Sequence, residues 1–243
     1  MMSMKRIFAL SLSVLLLQNG CALKKDQKQK DIETYENFFA DGGLQGATIY
    51  RVDDGTEMQT MLFDLNEDGR YEMLVQLDGS SVYNYRQSLL FGIQDEKVCL
   101  LHEQSYGGGS MGGALIRLKY DTVDSRHCLI AQGAYRHGGD KTEAFTEVLG
   151  YDGKEVTPKD NYRGYFLSVD EYNPENQQKA EQVKQESSYW YERETEFRYY
   201  LHNGAYIEER EYDQAVARYV DVTDTDYEWQ TVPITDYINL PQQ

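Results

Sequence analysis

Hydrophobic and polar residues alternate along most of this chain, in short runs broken by Gly, Asp and Asn. The runs Glu57–Asp64, Arg70–Leu77, Arg86–Ile93, Glu96–His102, Ala114–Tyr120, Arg126–Ala134 and Ala144–Tyr151 carry the two-residue period of half-buried strands. Turn-forming segments separate them at Asn66-Glu67-Asp68-Gly69, Asp78-Gly79-Ser80, Gln94-Asp95 and Asp152-Gly153. Short strands with tight connections pair antiparallel. No strand–helix–strand alternation points to a parallel sheet.

Three segments change period. In Asp31–Ala40, Ile32, Tyr35, Phe38 and Phe39 form one apolar stripe, and Gly42-Gly43 stops the helix. Asn173–Ser188 is polar, with Pro174 near its start, and reads as a solvated helix. Glu208–Tyr219 reads as a helix with Tyr212, Val216 and Tyr219 inward. Between these two, Glu194–Asn203 is a strand with Phe197, Tyr199 and Leu201 on one face; the last twenty residues read as extended. The predicted class is therefore α+β, a predominantly antiparallel β meander with an N-terminal helix and C-terminal helices. Residues 31–160 form the helix-plus-sheet part, and 161–243 an α+β part packed on the same domain.

The N-terminus follows a different logic. Lys5 and Arg6 precede an apolar run of ten residues, Phe8–Leu17, and then Gln18-Asn19-Gly20-Cys21. That layout is a secretion signal over residues 1–20, since a spanning helix needs roughly 20 apolar residues. Residues 21–30, rich in Lys and Gln, read as a soluble tether. Gly20-Cys21 resembles a bacterial lipobox, in which the Cys21 thiol takes the lipid. Gln18 stands where that pattern has Leu, so cleavage near Gly20 or Ala22 and free secretion is the alternative. The protein is expected outside the cytoplasm, on the outer face of the membrane by a lipid anchor or secreted.

Charge narrows the partners. The 243-residue chain carries a net charge of −17, and losing Lys5 and Arg6 with the signal takes it to −19. Nucleic acid is excluded as a partner, because phosphate contacts need clustered Lys and Arg. An anionic membrane surface is repelled as well, leaving only a lipid anchor for membrane residence. The 21 Tyr residues supply enough apolar surface for a folded domain. Cys99 and Cys128 lie in strand-like runs, and either pair in an oxidising compartment or stay as buried thiols.

The richest chemistry lies in Asp64-Leu65-Asn66-Glu67-Asp68-Gly69-Arg70-Tyr71-Glu72. Oxygen side chains fall at positions 1, 3, 5 and 9 of this run, with Gly at 6. A loop turning around Ca²⁺ points alternate side chains inward, Gly permits the sharp turn, and the position 7 carbonyl adds a ligand. The candidate calcium ligands are Asp64, Asn66, Asp68, Arg70 through its main chain, and Glu72. Val75 stands at position 12, so this is not an EF-hand; the spacing resembles the strand-loop-strand loops of FG-GAP repeats. A hairpin turn rich in Asp, Asn and Gly for conformational reasons alone is the plain alternative.

Other motifs carry less. Gly107–Gly113 satisfies both GxGxxG and GxSxG, yet each needs a following helix, and an alternating strand follows instead. The four His residues have no metal spacing, and His127, His137 and His202 are only loose partners for a Ser110 nucleophile. Tyr189-Trp190-Tyr191 and Tyr199-Tyr200 either stack on a ligand or pack a sheet. The reading is a binding or structural module for an extracellular protein or glycan, more a non-enzyme than an enzyme. The rival is a secreted hydrolase working through carboxylates or Ser110.

Thr34–Phe39 followed by Met61–Val75 resembles a group of uncharacterised bacterial lipoproteins marked by a "DIDGDGxPELI" segment. Tyr199–Tyr212 is similar to that group's late strand-turn-helix, and 150–157 to a weaker copy of the same turn. Arg70-Tyr71 departs from the group's Thr-Pro. The resemblance implies a cell-surface, calcium-loaded module and no reaction.

Overall fold

The computed structural model describes residues 22–46, 57–78, 86–106, 115–137, 140–222, 227 and 229–233. The predicted secretion signal, Cys21, Ser110 and the Gly107–Gly113 run lie outside these residues. The chain divides into two compact units. One holds the chain up to Glu103, the turn Asp152–Glu155 and the segment from Thr225; the other holds Gln104–Tyr151 and Val156–Asp224.

In the first unit, helix α1 spans Ala22–Ala40, so the residues read as a tether form its first turns. Their Lys, Gln, Leu and Ala are good helix formers, uninterrupted by Gly or Pro. Ile32, Tyr35 and Phe39 are buried along one face, with Asp31 buried beside them. Strands β1 (Glu57–Phe63), β2 (Glu72–Asp78), β3 (Arg86–Gln94) and β4 (Lys97–Tyr106) follow. A C-terminal strand, β13 (Gln230–Pro233), returns to give the order β13-β1-β2-β3-β4. The β13–β1, β1–β2 and β2–β3 pairs are antiparallel.

Tyr35 and Phe39 of α1 and Leu44 just beyond it meet Met58, Met73, Val75, Leu77, Leu89 and Phe91 of the sheet. Burying each large apolar side chain there contributes roughly 1.5–3 kcal/mol. Phe39 meets the Phe91 ring edge-on at 5.9 Å. Helix α1 is therefore fixed on the sheet that carries the Asp64 loop.

The second unit is a sheet ordered β11-β10-β8-β7-β6-β5-β12, with β9 also pairing β10. Its strands are β5 (Leu115–Asp121), β6 (Arg126–Arg136), β7 (Lys141–Tyr151), β8 (Val156–Ser168), β9 (Trp190–Arg193), β10 (Glu196–His202), β11 (Ala205–Ile207) and β12 (Tyr219–Asp221). Helix α2 (Pro174–Glu186) buries Ala180 and Val183 on Leu167, Phe197 and Tyr199. Helix α3 (Glu209–Ala217) sets Tyr212 and Val216 against a cluster containing Tyr162 and Tyr200. Tyr199 and Tyr200 are neighbours in one strand and point to opposite faces, so the two helices cover opposite faces of the sheet.

The architecture is the antiparallel one that alternation predicts. The division differs. The predicted boundary at residue 160 falls inside β8, which pairs with β7 on one side and β10 on the other. The ladder runs straight through that position.

Candidate functional site

The Asp64 loop closes the β1–β2 hairpin. Phe63 and Glu72 are paired across the ladder, so Asp64 leaves β1 just where Glu72 enters β2. Within the turn Glu67 and Gly69 both take positive φ, 60° and 86°. Gly69 has nothing within 4 Å of an added Cβ, so its role is conformational and not a matter of space.

Side chains from both ends fold over the turn. Gly69 N–H donates to Asp64 Oδ2 at 3.0 Å, and Leu65 N–H donates to Glu72 Oε2 at 2.9 Å. Arg70 N–H donates to Asp68 Oδ1 at 2.8 Å, and Asn66 Nδ2 to Asp68 Oδ2 at 2.8 Å. The four predicted oxygen side chains therefore belong to one compact loop, each engaged with the turn itself. Among the described residues, no three His, Cys, Asp or Glu side chains form a ready metal-holding group.

Glu72 sets the electrostatics. Its side chain is almost fully buried, 2 % exposed. Burial raises its carboxyl; the Leu65 N–H opposes that, while Asp68 and Asp64 push the same way as burial, and the pKa is pushed up to about 8.

Residues outside the run also shape it. Asp31 of α1, 1 % exposed, accepts from Tyr71 N–H at 2.9 Å and from Gln27 Nε2 at 2.9 Å. Arg70 Nε lies 3.2 Å from its Oδ1. Tyr35 Oη donates to the Tyr71 carbonyl at 2.8 Å and to that of Phe91 at 3.2 Å. Arg70 also reaches Glu96 at 3.0 Å, but Glu96 is 81 % exposed, so that pair contributes little. The Asp152–Glu155 turn stands on the other flank. A Cβ on Gly153, whose φ is +91°, would lie 3.3 Å from Asn66 Nδ2, and Gln94 Nε2 donates to the Lys154 carbonyl. Sequence reading missed these partners. The one available signal was Asp31 itself, a carboxylate on the apolar stripe of a helix.

The remaining candidates are spread through the fold. Cys99 and Cys128 are both free thiols, on β4 and β6. Each faces a nearby carbonyl at 3.7 Å, Lys97 for Cys99 and Lys119 for Cys128. Burial pushes the Cys128 thiol up to about 12, which makes it a poor nucleophile. His202 Nε2 lies 2.9 Å from Asp160 Oδ1, its ring stacked on Tyr162 at 4.4 Å. His137 pairs with Glu143, and His127 packs edge-on against Tyr120.

Within the aromatic clusters, Trp190 and Tyr199 pack in one core cluster and Tyr191 and Tyr200 in another. Trp190 stacks on Phe197 at 5.5 Å beneath Lys184, and Tyr199 stacks on Tyr165 at 4.7 Å. Tyr172 and Tyr189 stay exposed. Among the described residues no helix is long and apolar enough to cross a membrane. Comparison with protein families, with curated proteins and with solved structures finds no match to this chain.

Proposed function

We propose that this protein is an exported module of the cell surface, anchored through Cys21, in which Ca²⁺ at the Asp64–Glu72 loop fastens the β1–β2 hairpin. Its work is to bind or to scaffold an extracellular protein or glycan, without catalysis. The observation that supports the cation is the closure of the loop from both ends: Asp64 and Glu72 fold over the turn from opposite strands, with Asn66 and Asp68 between them. Hard carboxylate and amide oxygens suit Ca²⁺ above softer metals.

Outside the cell a weak site suffices, since extracellular calcium modules work with Kd of about 10⁻⁴–10⁻³ M. The resemblance to surface lipoproteins points the same way. A calorimetric Ca²⁺ titration tests the loop: saturable binding in the wild type, lost in Asp64→Ala. Absence of saturable heat in the wild type leaves the loop as a turn only. For the anchor, Cys21→Ser shifts the protein from the membrane fraction to the medium; retention in membranes rules the anchor out.

A further inference from the structure

The hairpin between β10 and β11 turns on Asn203 and Gly204, whose φ values of 48° and 83° are the two positive angles of a type I′ turn. That turn explains the residue types. It does not explain what surrounds the Asn203 side-chain amide. Its Oδ1 accepts the Asn161 N–H at 2.9 Å, while its Nδ2 lies 3.3 Å from Asp160 Oδ1 and 3.2 Å from His202 Nε2. The same Nε2 is 2.9 Å from Asp160 Oδ1, and the imidazole stacks on the Tyr162 ring at 4.4 Å.

An Asn followed by Gly is open to an internal reaction, because no side chain on the glycine hinders its nitrogen from attacking the Asn carbonyl carbon. Asn203-Gly204 is the one such pair after Cys21. Nothing lies within 4 Å of a Cβ added to Gly204, so the turn is open on that side. The reaction makes two demands. Negative charge develops on Oδ1 in the tetrahedral intermediate, and Nδ2 must take a proton to leave as ammonia. A fixed N–H aimed at the developing oxyanion meets the first, and Asn161 supplies it. A proton donor within hydrogen-bond reach meets the second, and His202 Nε2 stands there. Asp160 and the Tyr162 ring hold that imidazole in place.

We infer that Asn203-Gly204 is a self-modification site, at which the fold promotes loss of the Asn203 side-chain nitrogen. The bond from the Gly204 nitrogen to Asn203 Cγ forms and the Cγ–Nδ2 bond breaks. The Gly204 N–H proton passes to solvent; the proton that the His202 imidazolium gives to Nδ2 is regained from solvent. Water then opens the cyclic imide to aspartate or isoaspartate. A carboxylate so formed faces Asp160, where the amide had donated, and like charges at that distance loosen the β10–β11 turn.

Peptide mapping by mass spectrometry, on the full chain held at neutral pH, reads the conversion. The peptide carrying Asn203 is expected to gain the mass of an amide-to-acid change, with isoaspartate among its products. The gain is expected to be faster in the folded chain than in the same chain unfolded in guanidinium chloride. Folding ordinarily slows this reaction, so the order of the two rates separates help from the fold from the ordinary ageing of an Asn-Gly pair. His202→Gln is expected to slow conversion in the folded chain by about a hundredfold, as loss of a placed proton donor does, and to leave the unfolded rate unchanged.

A folded wild type that keeps Asn203 intact, or converts it more slowly than the unfolded chain, overturns the inference. So does a folded His202→Gln variant that converts as fast as the wild type. The comparison of folded with unfolded chain needs no variant, and it decides even where His202→Gln fails to fold.

Discussion

The carboxyl group of Asp31 and the amide of Tyr71, on a helix and a hairpin forty residues apart in sequence, meet at 2.9 Å in a half-buried contact. Around this pair the first unit assembles its helix, its sheet and its loop. Asp31 is 1 % exposed, and a buried carboxyl group is tolerated only when donors surround it. Tyr71 and Gln27 supply them, and the Arg70 guanidinium adds opposite charge 3.2 Å away.

Tyr35→Phe is expected to destabilise the first unit without disturbing its shape. The ring keeps its place in the core, but the carbonyls of Tyr71 and Phe91 lose their shared donor. An unsatisfied buried polar group costs about 1–3 kcal/mol. The urea unfolding midpoint measures it; an unchanged midpoint contradicts the contact.

Gly69→Ala is expected to cost about 1 kcal/mol, from the φ of 86° alone, because nothing crowds the added methyl. Gly153→Ala has the same conformational penalty and also brings its methyl to 3.3 Å from Asn66. The second variant is therefore the less stable of the two in thermal unfolding. Equal losses contradict this ordering.

In the second unit, Asp121 and Arg218 form a two-pronged ion pair, with Nε–Oδ1 at 2.8 Å and Nη2–Oδ2 at 2.6 Å. Burial pulls the Asp121 carboxyl upward, but the Arg218 bond and the N–H groups of Asp124 and Val123 outweigh it and hold it below the usual carboxylate range. A carboxyl depressed in the folded state contributes stability above its unfolded pKa and loses it as pH falls through the folded value. Thermal stability is therefore expected to fall below about pH 4. In Arg218→Gln that fall is smaller. Parallel pH profiles for the two proteins contradict the assignment.

Phe197→Ala is expected to loosen helix α2, because Phe197 lies fully buried among Trp190, Tyr199 and Val183. Removing such a ring costs about 3–5 kcal/mol. Proteolysis within 174–186 reports it, faster in the variant than in the wild type. Equal cleavage rates contradict the packing.

The strands from β1 to β7 were legible in the sequence because their alternation is clean and their turns carry Asp, Asn and Gly. Strand β8 was not. It opens with Val156-Thr157-Pro158-Lys159-Asp160-Asn161, a polar stretch with a Pro, and its register shifts near Leu149 of β7. Only partners on both sides reveal it. Strands β9, β11, β12 and β13 have three or four residues, too few to show a period. Residues 22–30 read as a tether because they are polar, yet helix propensity and Asp31 at their end make them part of α1.

The candidate site divides in the same way. Asp64, Asn66, Asp68, Gly69 and Glu72 announce themselves by spacing, since one turn holds them all. Asp31, Tyr35 and Gly153 reach the loop from other elements, through contacts that no local pattern encodes.

The most direct test of the calcium account is thermal unfolding of the wild type in Ca²⁺ and in chelator, beside Asp64→Ala and Asp68→Ala. A ligand that binds only the folded state adds about 2.7 kcal/mol at a hundredfold excess over its Kd. The wild-type midpoint is expected to rise with Ca²⁺ and fall with chelator, and in the two variants to do neither. A wild-type midpoint that stays the same in both conditions contradicts it.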